Sequence, residues 1–155
     1  MKSRRTKKHV QTIRVWDYDE AKKALPYVAS IVRSIREHRL DAQRNHLTAE
    51  RLAAKPGRPT RDSIIAHEDA LTAAREAGDR FEDALGELNA LDIYCLDPVH
   101  GTALIPFAHD NDLAWYIYDL FEEDGLRTWR LHTDPLDTRR PVKELAEQLE
   151  VPVAV

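Results

Sequence analysis

The sequence predicts an α+β domain: a long antiparallel helical hairpin, a small and mostly antiparallel β-sheet, and a short C-terminal helix. Two observations predict this class. Residues 17–89 contain two apolar series that step in threes and fours, with one Pro/Gly-rich turn between them. From Ala90 onward the pattern changes to period two and aromatic residues become dense. The length of 155 residues fits a single domain, which we place at residues 11–150.

The composition is that of an ordinary globular protein. Hydrophobic residues make up 43% of the chain and charged residues 32%, which excludes the collagen-like and fully disordered classes. No apolar run approaches the ~20 residues that a membrane-spanning helix needs, so we expect no membrane partner. The single cysteine, Cys95, excludes an intrachain disulfide and a cysteine-rich zinc site. Together with the lack of an apolar signal segment behind the basic N-terminus, it predicts a cytoplasmic protein.

Positive charge is concentrated at the N-terminus. Residues 1–9 carry five Lys or Arg residues and no acidic residue, whereas the remaining chain carries 18 basic and 27 acidic residues. Because residues 1–10 offer almost no apolar side chain that could dock on a core, we expect a disordered basic tail. The tail lacks interleaved aromatic residues and the acidic body repels phosphates, which argues against a nucleic-acid partner.

The first predicted elements are a short strand and the start of a helix. Residues 11–16 alternate polar and apolar side chains and are rich in β-branched and aromatic types, which predicts the strand. Asp17 follows as a helix N-cap, and Glu20 stands where it completes a capping box. Pro26 lies beyond the first turn of this helix, so we expect it to kink the helix.

Two long helices follow, joined by the Lys-Pro-Gly-Arg-Pro turn of residues 55–59. The seam, meaning the apolar series that faces the other helix, is predicted in the first helix as Ala24, Val28, Ile31, Ile35, His38, Ala42, Asn45, Ala49 and Leu52. The second seam is predicted as Ile64, His67, Leu71, Ala74, Gly78, Phe81, Leu85 and Leu88. Both series repeat every seven residues and predict an antiparallel hairpin. Counting outward from the turn pairs His38 with Gly78, so we expect the imidazole to pack where the glycine leaves room.

The remaining chain predicts a small sheet. The candidate strands are residues 91–96, 102–107, 113–121 and 126–132, with turns at 109–112 and 122–125. The third of these strands is apolar on both faces, which is typical of a central strand covered on both sides. Residues 134–140 are expected to form a loop, and Pro141 to begin a helix that ends at Glu150.

No standard catalytic or cofactor motif is present. The sequence contains no P-loop, GxGxxG, GxSxG, HExxH or CxxC motif. His38 and His67 lie on the seams without the Glu-x-x-His spacing of metal sites in helical bundles, so we interpret them as polar residues that fix the register. We therefore expect no metal and no cofactor, and assign no catalytic residue.

Aromatic, Arg and Glu side chains are concentrated near the predicted strand ends of the C-terminal part. Such a combination lines pockets for anionic or aromatic ligands. The candidate ligand-binding residues are Glu122, Glu123, Trp129, His132, Arg139 and Arg140. The alternative interpretation, which we favour, is an aromatic core with a charged rim, since this is the commoner use of such residues. A single pocket that gathers these side chains would distinguish the two.

The order of several short motifs resembles a known bacterial family. The motifs are Glu20-Ala21, Leu25-Pro26-Tyr27-Val28, Leu96-Asp97-Pro98, Gly101, Phe107, Trp129 and an arginine, Arg139 or Arg140, before Pro141. From about Val15 to Val142 the chain resembles the domain of unknown function family 2203. It departs from the family pattern at Arg130, where a histidine is expected, and at Pro106, which replaces an aspartate. The family has no assigned activity, so the resemblance implies the architecture and not a function.

Two classes of function remain, and we favour the first. It is a non-enzymatic interaction or scaffold module that forms a homodimer through the hairpin. The second is a ligand-binding protein or an unusual enzyme that uses the C-terminal cluster. A dimer, built as a four-helix bundle, is predicted because further apolar residues widen both seams: Ala21, Leu25, Val32, Ile65, Ala77 and Ala84. The competing account is a monomer in which the sheet and the C-terminal helix cover this surface.

Overall fold

The computed structural model describes residues 12–122 and 125–145, and it confirms the α+β class. The helices are α1 (Tyr18–Ala53) and α2 (Arg61–Asn89), and the strands are β1 (Tyr94–Asp97), β2 (Thr102–His109), β3 (Asp112–Asp119), β4 (Thr128–Leu131) and β5 (Arg140–Pro141). A further helix begins at residue 143. The predicted basic tail and the continuation of the C-terminal helix beyond residue 145 lie outside the described residues.

The segment before α1 differs from the prediction, because residues 12–16 are extended but form no strand. The Trp16 backbone N–H donates to the Pro106 carbonyl at 2.8 Å, and the Arg14 backbone N–H donates to the Asp92 carboxylate at 2.8 Å. The Trp16 indole N–H donates to the Leu91 carbonyl at 3.1 Å. One backbone bond to β2 anchors the segment without creating the ladder that defines a strand.

Both helices begin at side-chain caps. The Asp17 carboxylate accepts the Glu20 backbone N–H at 2.8 Å, as predicted, and this bond lowers the pKa of Asp17. The carboxylate of Glu20 lies 3.4 Å from Arg14 Nη2. At α2 the Thr60 hydroxyl accepts the Ser63 backbone N–H at 3.1 Å. α1 then continues through Pro26 to its end at Ala53.

The inward face of α2 differs from the predicted seam at every second position. Its fully buried residues are Ala70, Ala77, Ala84 and Leu88. Leu88 was predicted, but each of the three alanines lies one residue before a predicted seam position. Ile64 and Leu71 are instead about half exposed, at 47% and 43%. Alanine at the inward positions lets the backbones of α1 and α2 approach closely, and the larger side chains then lie on the flank of the helix.

The predicted packing of His38 against Gly78 is wrong. A Cβ atom built on Gly78 would meet no atom within 4 Å, so no side chain of the described residues, His38 included, occupies that space. Both residues are half-buried. Glycine inside a helix costs about 0.5–1 kcal/mol relative to alanine. The described part of the chain therefore gives no packing reason for a glycine at this position.

The sheet is antiparallel throughout, with strand order β1-β2-β3-β4-β5. β2 and β3 pair from Thr102 with Asp119 to His109 with Asp112. Their two-residue turn has positive φ at Asp110 (48°) and Asn111 (68°), as a type I′ hairpin requires. β5 was not predicted, because two residues are too few to produce a pattern.

The two faces of the sheet have different coverings. The inner face packs against the first half of α1 and the end of α2, and contributes Ala103, Ile105, Phe107, Ala114, Tyr116, Tyr118 and Trp129 to the main core. The outer face has a smaller cluster of Leu104, Trp115 and Ile117. β3 is buried on both faces, as predicted for a central strand. The main core takes no residue between Ile35 and Phe81, so the hairpin from residue 36 to 80, here called the distal hairpin, extends beyond it.

Candidate functional site

Trp129 and Arg140, two of the predicted ligand-binding residues, lie together at the inner face of the sheet. Trp129 is 2% exposed, and its indole N–H donates to the Pro141 carbonyl at 3.2 Å. The Arg140 guanidinium lies 5.3 Å from the centre of the Trp129 ring. Phe107 and His109 also contact this ring, at centroid distances of 5.8 and 4.9 Å. Trp129 is thus a core side chain enclosed by other side chains.

His132 contributes to the opposite face of the sheet. Its Nδ1 accepts the Trp115 indole N–H at 3.1 Å, and Trp115 belongs to the outer cluster. An accepting Nδ1 places the proton of the neutral imidazole on Nε2. Trp129 and Tyr116 are register partners in β4 and β3, and both side chains lie in the inner core. His132 instead contacts Trp115, the residue before Tyr116 in β3. Because neighbouring residues of a strand point to opposite faces, the sheet separates His132 from Trp129.

The other predicted residues lie elsewhere. Arg139 donates to the Asp119 carboxylate at 3.0 Å, and the same carboxylate accepts the Thr102 hydroxyl at 2.9 Å. Glu122 is exposed in the turn after β3. Glu123 lies outside the described residues. The described members of the predicted cluster therefore occupy four separate environments and do not converge on one pocket.

Asp134, which sequence reasoning missed, connects the turn after β4 to β5. Its carboxylate accepts the Leu131 backbone N–H at 2.9 Å and two bonds from the Arg140 guanidinium at 2.8 and 2.9 Å. These bonds lower the pKa of Asp134, with the Arg140 side chain as the largest cause. The interaction is a structural clamp that holds Arg140 over Trp129.

We expect Asp134→Asn to lower the melting temperature by several degrees at pH 7. A carboxyl whose pKa is depressed in the folded state stabilises the fold above its unfolded pKa, near 3.8, and this contribution disappears as the pH falls through the folded value. The difference between the variant and the wild type should therefore shrink below about pH 4. Thermal unfolding followed by circular dichroism from pH 7 to pH 2.5 measures it. Asp137→Asn, in the same loop, is the matched control. The clamp would be contradicted if the difference in melting temperature between Asp134→Asn and the wild type did not change with pH, or if Asp137→Asn lowered the melting temperature equally.

Arg130 is buried on the outer face at 4% exposure. Its Nη1 donates to the carbonyls of Leu131 and Asp134 at 3.3 and 3.1 Å. Its buried Nε has no partner in the described part of the chain. The side chain stabilises the turn after β4 from the side opposite the carboxylate of Asp134. Sequence reasoning missed this role because a charged residue next to a core tryptophan is ordinarily expected at the surface.

Two further groups of the sheet are kept neutral by burial. Burial raises the pKa of Tyr116 to about 12, with smaller contributions from Asp17, Tyr18 and Asp19. Its ring stacks on Phe107 with centroids 4.0 Å apart. Burial likewise raises the pKa of the Cys95 thiol to about 11, which suppresses the thiolate that a nucleophilic cysteine needs. Both side chains fit packing roles and not acid–base or nucleophilic roles at neutral pH.

Metal-ligand types do not converge in the part of the chain that is described. No group of three His, Cys, Asp or Glu residues there is placed to hold a metal ion. Neither described helix is long and apolar enough to cross a membrane.

The distal hairpin carries the second candidate surface. On α2, Ile64 and Leu71 are seven residues apart, so they lie on one face of the helix and form an apolar stripe beside the inward alanines. At the end of the hairpin a groove of about 460 Å³ opens beside this stripe, with Leu52, Pro56, Arg58, Ile64 and His67 among its lining residues. Ile65 is 45% exposed and lies about 100° further around the helix.

The surface predicted to need a partner is largely covered within the chain. Ala21, Val32, Ala77 and Ala84 are buried, and Leu25 packs partly against the main core. The sheet therefore covers most of the residues that were predicted to widen the seams, as the competing account proposed. Of that set, Ile65 stays exposed. On the distal hairpin, Leu47, Ile64 and Leu71 are also about half exposed.

Comparison with known proteins identifies the family. A sequence model described as an uncharacterized conserved protein, DUF2203, matches residues 14–142. The chain belongs to the DUF2203 family. The resemblance predicted from the short motifs is thereby confirmed. The match to DUF2203 includes both helices and all five strands of the described structure.

No curated protein and no solved structure gives a significant match to this DUF2203 chain. The family description names no activity.

Proposed function

We propose that this protein is a non-enzymatic interaction module that self-associates through its distal hairpin. The observation that carries the proposal is the half-exposed stripe of Ile64 and Leu71 on α2. Branched aliphatic side chains at seven-residue spacing next to a helix–helix seam are typical of a surface that packs on further helices. We propose the cytoplasm as the location, since the single cysteine suits a reducing compartment.

The dimensions of the hairpin support this proposal. α1 has 36 residues and is about 54 Å long at about 1.5 Å per residue. The longest strands have eight residues, or about 27 Å at about 3.4 Å per residue. A sheet of this size covers about half of the hairpin, and its core stops at Ile35 and Phe81. The distal hairpin is a two-helix structure in which each helix covers only one face of the other.

A second copy is the simplest partner for this surface. Two hairpins packed side by side form a four-helix bundle, in which the stripe of each α2 lies at the interface. A two-fold axis makes the contact self-complementary, so one stripe serves both copies. The ligand-binding alternative is less favoured, because the described residues of its predicted cluster do not converge on a common pocket.

We expect wild-type protein to sediment as a dimer at micromolar concentration and Leu71→Glu to sediment as a monomer near 17.8 kDa. A carboxylate placed at the centre of an apolar interface must be desolvated without a partner, which should weaken association at least a hundredfold. Sedimentation equilibrium over a hundredfold concentration range measures both proteins.

Ile65→Glu is the matched control, because Ile65 is as exposed as Leu71 but faces another direction. It should leave the dimer intact. A wild-type protein that is monomeric at every concentration would end the proposal. Equal loss of association in both variants would place the interface elsewhere on the hairpin.

A further inference from the structure

A column of alternating charge runs beside the apolar stripe of α2. Arg61, Glu68, Arg75 and Glu82 follow one another at seven-residue intervals, and all four are exposed. The interval of seven places them in one line along the helix, about 10.5 Å apart. We call these four residues the charged column. The adjacent line contains Ile64, Leu71 and Gly78.

The charged column has no partner among the residues that the structure describes. None of its four side chains makes an ion pair or hydrogen bond with another residue of the described parts. Charges on one helix pair at spacings of three or four residues. Arg61, Glu68 and Glu82 have no opposite charge at those spacings along α2. Arg75 alone has an opposite charge at such a spacing, Asp79, and no ion pair between the two forms.

We propose that α2 packs against α2 of a second copy in antiparallel orientation, about a two-fold axis beside Leu71. This inference rests on the proposed self-association and specifies its geometry. In this arrangement Arg61 faces the partner's Glu82 and Glu68 faces the partner's Arg75, so each charge of the column meets its opposite. A parallel arrangement would place the two columns on opposite sides of the apolar stripe, where no charge of one column meets its opposite in the other. The column thus favours the antiparallel orientation, because only there does each charge pair with its opposite.

Gly78 provides independent support for the same register. With the axis beside Leu71, residues seven positions before and after it face each other, so the partner's Ile64 lies against Gly78. The space where a Cβ atom would stand on Gly78 is empty in the isolated chain. A glycine that the hairpin does not need gives a branched side chain of the partner room to approach the α2 backbone. Leu71 then packs against its own symmetry mate at the centre.

Disulfide cross-linking tests the position of the axis. In a Cys95→Ser background, Leu71→Cys should form a disulfide-linked dimer under mild oxidation, because the two copies of residue 71 lie next to the axis. Cα atoms must come within about 7 Å for a disulfide. Ile64→Cys is the matched control, since its two copies lie about 21 Å apart along the antiparallel pair and should not link. Efficient linking at residue 64 with none at residue 71 would overturn the register.

Charge reversal tests the pairing. The double variant Arg61→Glu, Arg75→Glu makes the column wholly acidic, and Glu68→Arg, Glu82→Arg makes it wholly basic. Each variant alone should associate at least tenfold more weakly than wild type at low salt, and an equimolar mixture should restore a heterodimer. Sedimentation equilibrium of the separate and mixed proteins measures this, with circular dichroism to confirm that each variant folds.

The outcomes separate this inference from the proposed function. A monomeric wild type ends both. A dimeric wild type whose association is unchanged by either charge reversal, with no link at residue 71, ends the antiparallel arrangement and leaves self-association standing. If a charge variant does not fold, the cysteine pair alone decides, because it leaves the column unchanged.

Discussion

Replacing Trp129 with alanine is expected to lower the free energy of unfolding by about 3–5 kcal/mol. The side chain is 2% exposed, and its ring contacts Phe107, His109 and the Arg140 guanidinium. Its removal leaves a cavity between the sheet and the helices and takes away the donor to the Pro141 carbonyl. Since domains of this size are stable by about 5–15 kcal/mol, the loss is a large fraction of the total.

Urea unfolding followed by circular dichroism measures this change, because the midpoint and slope of the unfolding transition give the free energy of unfolding. Phe121→Ala is the matched control, since that ring is 67% exposed and its removal should cost well under about 1 kcal/mol. Trp129→Phe should fall between the two, because it retains most of the apolar contact and loses the hydrogen bond. A loss below about 1 kcal/mol for Trp129→Ala would mean that the ring is not part of the core.

Gly101→Ala is expected to destabilise the fold by about 2–4 kcal/mol, although the change adds a single methyl group. Gly101 closes the turn between β1 and β2 with φ of +71°, a conformation that alanine adopts only with strain. A Cβ atom there would also lie 2.7 Å from Leu120 Cβ, so one strand end must shift. The Gly101 carbonyl accepts the Leu120 backbone N–H at 2.9 Å, which limits that shift.

Gly57→Ala separates strain from steric overlap. Gly57 also has positive φ, +99°, but a Cβ atom there meets nothing within 4 Å. Its replacement should cost only the conformational part, about 1–2 kcal/mol. Chemical denaturation of the two variants side by side measures the difference. Equal losses at both positions would show that contact with Leu120 contributes nothing.

Local patterns predicted the two helices and the strands β1 to β4 in their order, although the strand expected at residues 11–16 does not form. The seven-residue apolar series, the cap at Asp17 and the turn around Gly57 all act within a few residues along the chain. Period-two apolar residues with an Asp-Asn turn similarly fix the hairpin of β2 and β3. Such features need no tertiary context, because the hydrogen bonds and torsion angles involved are local. The short strand β5 carries no such local pattern and was missed.

The candidate ligand site shows where adjacency along the chain misleads. Trp129 and His132 are three residues apart, yet the sheet lies between them. Side chains alternate between the two faces of a strand. This alternation places Trp129 and His132 on opposite faces only when the bounds of the strand are known. The turn after Leu131 is held by Asp134, which sequence reasoning did not single out, and by Arg130, which it noted only as a departure from the family pattern.

By itself, the sequence determined the α+β class, the two helices with the Asp17 cap and the turn between them, and a small, mostly antiparallel sheet. Only the tertiary structure decided which side of α2 faces inward. Helical periodicity defines a stripe roughly 100° wide, and both the series through Leu71 and the series through Ala70 fall within it. Close packing against α1 and the sheet selects alanine for the inward positions, because a small side chain permits the shortest distance between backbones. Ile64 and Leu71 were thereby left on the flank, where they are available to a partner.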